Sequence, residues 1–348
     1  MTSDKKHYLK RGINYSLSFL LSIIFLYIAF KNANLNEVMD YVSDASWLWI
    51  IIFSAVLLFA HYIRAIRWKI ILHSVKPDTS VKNLFGALMV GYGVNNVIPR
   101  AGEISRAVLV GRWEGLSRSS MFGTVIVERV IDIIFLLLSV LVSALIWSGD
   151  LYESFPWLKS ALIISFIGTI GLIAFLFLVI KLKEKFYGGI IKLLGRISEN
   201  LANKAAHVFA MLAEGFASLK GTKNYIYVFL LSAIIMIVYA FNSYLGFFII
   251  GIQDVYHVDY KMAWVLMSIS AIGIAIPTPG GTGSYHTLAK SSLVILFGFG
   301  EEISLAYAFV THIVNYILCI VSALLIFFVL NRQHENLIKV VETEVDDL

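Results

Sequence analysis

Ala275 to His286 reads AIPTPGGTGSYH, two prolines and three glycines set inside sequence that is otherwise apolar on both sides. In hydrocarbon a freed backbone N–H or C=O has no water to bond, so irregular backbone survives only buried in protein or lining a cavity. A second stretch, Val94 to Arg106 (VNNVIPRAGEISR), interrupts apolar sequence in the same way, and Ile98-Pro99-x-x-Gly102 repeats the spacing of Ile276-Pro277-x-x-Gly280. Breaks in corresponding positions of two halves point to a binding site formed by discontinuous helices.

Working outward, the chain is too apolar for a soluble domain. Its 348 residues are 59% hydrophobic and 15% charged, with a mean hydropathy of +0.80. Full spans are expected near 12–31, 46–68, 121–147, 157–180, 225–250 and 304–330. Each run is long enough to cross a core of about 30 Å at roughly 1.5 Å per residue. The first lacks a small-residue cleavage site after it and reads as a retained span. The single cysteine, Cys319, lies in the last span, so neither a disulfide framework nor a Cys-based zinc site is expected.

The net charge of +5 says less than its distribution. Basic residues precede the first span (Lys5, Lys6, Lys10, Arg11) and follow the second (Lys69, Lys76, Lys82) and the fourth (Lys181, Lys183, Lys185, Lys192, Arg196). The alternate loops carry Glu37, Asp40, Asp44, Asp150, Glu153, Asp254 and Asp259. The positive-inside rule then puts both termini in the cytoplasm of a multi-pass protein of the cell membrane. Residues 83–120 start and finish among basic residues and should enter and leave on the cytoplasmic side; residues 261–300 should do so on the outer side.

The expected fold is therefore an all-α polytopic membrane protein, a single integral membrane domain over 1–348. It would have about six full spans and two oppositely oriented re-entrant hairpins in an inverted repeat, with halves at 12–147 and 157–330. The alternative is eight spans, two of them kinked. Between the halves, Ile190, Leu194, Ile197, Leu201, Ala205, Val208 and Leu212 recur at steps of three or four, predicting an amphipathic connector helix over 186–220 on the cytoplasmic interface or packed on the bundle. A polar tail follows at 332–348.

Glu103, Arg106, Glu128, Arg129 and Asp132 fall at or beside membrane depth, where ionised groups must be paired or hydrated. Two arrangements are open: a polar wall in which Arg100, Arg106 and Arg129 meet a phosphate through their planar donor forks, or an internal ion-pair network. Asn95 and Asn96 would bond loosened backbone or a headgroup. Pro99, Gly102, Pro277, Pro279, Gly280, Gly281 and Gly283 shape the breaks. His286 could sense protons or contact a headgroup, and Lys290, four residues on, could be a phosphate point charge or snorkel to the interface. Arg64, Arg67 and Trp68 read as interfacial anchors closing the second span, with His61 and Arg64 also able to reach a cavity. His312 with Asn315, and Tyr239 with Asn242, suit interhelical hydrogen bonds.

Three motifs in order, Asn95-x-x-x-Pro99-x-x-Gly102-Glu103-x-x-Arg106, Glu128-Arg129-x-x-Asp132 and Pro277-x-Pro279-Gly280-Gly281-x-Gly283, give the chain a resemblance over nearly its whole length. It resembles the flippase-like membrane region of lysylphosphatidylglycerol synthases, which also occurs as stand-alone proteins. The resemblance implies movement of lipids or lipid-linked glycans between leaflets, or support of enzymes that modify them. Two departures qualify it. The chain ends at Leu348 without the soluble acyltransferase domain of the lysyl-transferring enzymes, so lysyl transfer is not expected as its own activity. Relatives commonly have Glu where this chain has His286.

Enzyme signatures are absent from the sequence: no metal-ligand pattern, no Gly-x-Ser-x-Gly elbow and no phosphate-binding Gly-Lys-Ser/Thr loop. The expectation is an anionic phospholipid or lipid-linked intermediate passed between leaflets, without cofactor, metal or nucleic acid. A lipid-binding accessory subunit of a lipid- or glycan-modifying enzyme is the alternative, and a membrane-embedded transferase using Glu128 or Asp132 as base the third reading.

Overall fold

The computed structural model describes residues 3–73, 75–147, 184–218 and 221–331, with scattered positions between 160 and 182. The expected span 157–180 is described only in part, and the tail 332–348 lies outside the described residues. All regular structure among them is helical: α1 (Ser3–Phe30), α2 (Leu35–Ser43), α3 (Trp47–Leu72), α4 (Val81–Val97), α5 (Ala101–Glu114), α6 (Arg118–Ile146), α7 (Glu184–Gly195), α8 (Glu199–Ser218), α9 (Thr222–Ile249), α10 (Ile252–Val255), α11 (Tyr260–Ala275), α12 (Ser284–Ser291) and α13 (Glu301–Asn331). The chain is a polytopic membrane protein.

Among the described residues three helices are long and apolar enough to cross a membrane, Trp47–Leu72, Thr222–Ile249 and Glu301–Val329; α1 with α2 makes a fourth if that pair, bent by 92°, is one span. Phe59 on α3, Phe229 on α9 and Phe328 on α13 are exposed, as side chains facing lipid must be. The hairpin arms are shorter. α4 and α11 have 17 and 16 residues, about 25 Å at 1.5 Å per residue, less than a core of about 30 Å.

Both breaks arise from the same local physics. A proline's ring pushes the residue before it out of the α region. Ile276, before Pro277, takes φ −67° and ψ 133°, ending α11; α4 ends at Val97, one residue before Ile98-Pro99. The chain turns at Arg100, whose φ is +66°, and restarts at Ala101. After the second break, a 3₁₀ turn over Pro279–Gly281 leads to α12, and a π turn over Ser292–Leu296 continues it. Elsewhere helix starts follow ordinary capping: Ser117 accepts from the Ser120 N–H (3.2 Å) and Asp259 from the Met262 N–H (2.8 Å).

The chain forms two compact units, one of Met1–Ala60, Leu88–Ser105 and Ile237–Leu348, the other of His61–Ala87 and Arg106–Met236. The first holds both breaks and an aromatic-rich core around Phe247, Phe299 and Tyr307. The second holds Arg64 and Arg67 of α3, Arg106 of α5 and Glu128, Arg129 and Asp132 of α6, with Trp68, Ile71, Leu72 and Met121 fully buried. In it α8 packs along α6 and α7. The expected single connector over 186–220 is thus two helices, interrupted at Arg196–Ser198, where Ser198 accepts from the Leu201 N–H (3.4 Å). The apolar steps run through the interruption because both helices keep their apolar side chains in the same rhythm.

Candidate functional site

The second unit has a charged cluster at its centre. Glu128 and Asp132, four apart on α6, share a helix face and meet arginines from α3 and α5. Glu128 accepts from Arg64 Nη2 at 2.6 Å and Arg106 Nη1 at 2.9 Å, and Arg67 Nη2 lies 3.4 Å away. Asp132 accepts from Arg64 at 2.5 Å and Arg67 at 2.6 Å. Arg67 also donates to the Ser232 hydroxyl (2.9 Å), and the Arg106 guanidinium lies 5.1 Å from the ring centroid of Trp68, which donates to Thr124. Glu128 and Arg67 are 0% exposed. Arg129 has the most exposed side chain of the cluster, at 36%, and its Nη1 stands 3.6 Å from Asp132.

The first unit brings the two breaks together. Asn96 donates its amide to the Tyr316 carbonyl (3.2 Å) and the Tyr316 hydroxyl donates to the Asn96 carbonyl (2.9 Å), a reciprocal pair between α4 and α13. Gly280, with φ +57°, lies against both: a Cβ there would stand 2.8 Å from Asn96 Oδ1 and 3.0 Å from the Tyr316 ring. His312 Nε2 donates to the Gly280 carbonyl at 2.9 Å. Within the first break, Asn95 accepts from the Gly102 N–H (2.7 Å) and donates to Glu103 (3.2 Å). The absence of a side chain at Gly102 lets the two arms close: its Cβ would fall 1.9 Å from the Gly91 carbonyl oxygen.

The model of the lysylphosphatidylglycerol synthase TM region matches residues 15–323. The chain belongs to this family. It is 26% identical over 272 residues to a UPF0104 membrane protein of Methanothermobacter thermautotrophicus, covering 72% of this chain and 76% of that one. It is 24% identical over 327 residues to the UPF0104 membrane protein MJ1595 of Methanocaldococcus jannaschii, covering 90% and 94%. No solved structure matches.

For this member of the lysylphosphatidylglycerol synthase TM family, the positions singled out in the sequence divide between two places. Arg106, Glu128, Arg129 and Asp132 lie in the charged cluster of the second unit; Asn95, Asn96, Pro99, Arg100, Gly102, Glu103 and the residues from Pro277 to Lys290 lie in the first. Arg100 sits at the turn of its hairpin with an exposed side chain. Lys290 neither snorkels nor stands open: it donates to the Ala29 carbonyl (2.9 Å) and pairs with Glu301 (2.8 Å), tying α12 to the ends of α1 and α13. The reading of Arg64 and Arg67 as interfacial anchors is overturned, since both are buried and supply the shortest bonds to the acidic pair. Their spacing of three on α3 was the available signal, because one helix face holds both.

At the end of the first hairpin, outside the spans, Glu114 accepts from Lys76 (2.9 Å), Asn83 (2.7 Å) and the Ser80 N–H (3.1 Å). Burial opposes its charge, but these donors and the Lys76 charge hold its carboxyl below the ordinary 4.5. The same hydrogen bond raises Lys76.

Proposed function

We propose that the protein moves an anionic phospholipid, or a lipid-linked intermediate, between membrane leaflets by bringing its headgroup to the arginine cluster on α3, α5 and α6. The observation that carries this reading is the composition of the cluster, in which Arg64, Arg67, Arg106 and Arg129 surround Glu128 and Asp132. A guanidinium fork fits a phosphate as well as a carboxylate, so an arginine paired at rest can exchange its partner for a headgroup. Arg129, whose side chain is the most exposed of the four arginines, is the first point of contact. Asn95, Asn96, Glu103 and His286 belong, in this reading, to the backbone breaks that move.

The finer topology is part of the proposal: six spans, two oppositely oriented hairpins and both termini in the cytoplasm, with α6 as the third span. Opposed breaks present polar backbone toward either leaflet, which suits alternating access. Glu128 and Asp132 suit a base poorly, because their oxygens already accept arginine N–H bonds; this weighs against the transferase reading.

Purified protein in vesicles containing labelled phosphatidylglycerol tests the proposal. A quencher added outside should bleach past the outer-leaflet plateau only where protein is present. Bleaching that stops at that plateau, with the protein folded and binding phosphatidylglycerol, removes the transport reading in favour of the accessory one; turnover to a new lipid product favours the enzyme.

A further inference from the structure

The second break holds two imidazoles against each other. His286 on α12 and His312 on α13 have ring centroids 4.5 Å apart, and both are buried within the first unit. Their hydrogen bonds fix which nitrogen carries hydrogen. The Gly283 N–H donates to His286 Nδ1 at 3.2 Å, so Nδ1 presents a lone pair and the neutral ring carries its hydrogen on Nε2. His312 Nε2 lies 2.9 Å from the Gly280 carbonyl, which can only accept, so that nitrogen carries hydrogen and in the neutral ring Nδ1 holds the lone pair. His286 is thus built into the break as a neutral imidazole.

A proton arriving at His286 can form its N–H bond only at Nδ1. There it confronts the Gly283 N–H, donor against donor, and the bond that caps α12 must open. A proton arriving at His312 instead adds to Nδ1 and keeps the bond to Gly280, but puts a cation beside His286. Two imidazolium rings at this separation repel, so the pair takes one proton. Among the described residues neither ring is hydrogen-bonded to a carboxylate, and the first break, which reaches Gly280 through Asn96, carries Arg100 and Glu103, the latter bonded to Asn95. Around the pair α13 brings Tyr316, with its ring 5.8 Å from His312. α12 brings Tyr285, bonded to Thr311 at 2.9 Å, and Lys290, already paired with Glu301. Residues 16–30 of α1 and 262–275 of α11, the other helices packed on α12, contain no charged side chain. A charge on the pair has to be met by water, and water reaches it only if the break loosens.

We infer that His286 and His312 form a proton-binding site inside the second break, and that a proton settling on His286 releases the Gly283 cap and opens the Thr278–Gly283 loop to water. The ligand is the proton itself. A ligand that prefers one conformation shifts the population toward it, so the site would let a pH gradient bias the hairpin. That last step rests on the transport reading; the site does not, and its test uses no lipid movement.

The test uses the full chain in vesicles, with Cys319→Ser and Thr282→Cys, labelled by a membrane-permeant maleimide at about pH 5.5 and about pH 7.5. His286→Asn on this background is the reference, because its Oδ1 can still accept from Gly283 but cannot take a proton, and the ratio of the two rates cancels thiol ionisation. Acidification should raise that ratio several-fold. An unchanged ratio overturns the proposal. Should the Asn variant fail to fold, His286→Gln takes its place as the reference, since its amide oxygen can also accept from Gly283 and cannot take a proton. With this reference too, a several-fold rise of the ratio on acidification supports the site and an unchanged ratio overturns it.

Discussion

Glu128 is the residue on which the charged cluster turns, since it takes bonds from α3 and α5 at once while fully buried on α6. Replacing it by Gln removes the negative charge and leaves Arg64 and Arg106 facing an amide. Breaking a buried pair from one side costs about 3–5 kcal/mol, so Glu128→Gln should lower the thermal unfolding midpoint in detergent markedly. Arg129→Gln makes the contrasting case. Its guanidinium is partly exposed and 3.6 Å from Asp132, so the loss of stability should stay under about 1 kcal/mol. Binding of phosphatidylglycerol vesicles by the folded variant should nevertheless weaken; unchanged binding would assign Arg129 to the structural network alone. Glu114 gives a pH dependence of definite sign. Its carboxyl titrates lower folded than unfolded, so its stabilisation is complete above about 4.5 and fades as pH falls through the folded value. Stability curves of the parent and Glu114→Gln should therefore differ at neutral pH and converge toward acid.

At the scale of the helices, Gly102 decides whether the first hairpin closes. A methyl group there would overlap the Gly91 carbonyl and crowd Asn95, and overpacking of this kind costs typically about 1–3 kcal/mol. Gly102→Ala should lower the midpoint of thermal unfolding and speed proteolysis near residues 98–100, whereas Gly188→Ala, with open space around it, should change neither. The breaks were legible in the sequence because proline acts locally, on the residue before it and on one N–H, whatever surrounds it. The partners of Glu128 were only half legible. Arg106 lay close along the chain, but Arg64 and Arg67 precede a Trp at a helix end, the composition of an interfacial anchor, and only the tertiary packing of α3 on α6 shows them inward. Likewise, Gly195 and Ser198 marked the interruption between α7 and α8, a helix-ending glycine and a capping serine, although the apolar rhythm continued through them.

For the whole molecule, what the sequence supplied was mainly the distribution of charge, which bears on sidedness and says nothing of contacts. Three apolar helices and the bent α1–α2 pair account for part of the expected topology. α6 has the length of a span at 29 residues, but Glu128, Arg129 and Asp132 interrupt its apolar run; as the proposed third span it would need the arginines of α3 and α5 that meet them. Orientation can be tested one break at a time. In a Cys319→Ser background, a cysteine at Arg100 in the exposed turn of the first hairpin and another at Thr282 in the second should differ in sidedness. A membrane-impermeant thiol reagent applied to right-side-out vesicles should reach the second and not the first, and inverted vesicles should give the opposite pattern. Oppositely oriented hairpins require that reversal, because each is entered from its own side of the membrane. Labelling of both positions from the same side would mean that the two breaks are not related by inversion, and alternating access between opposed halves would lose its basis.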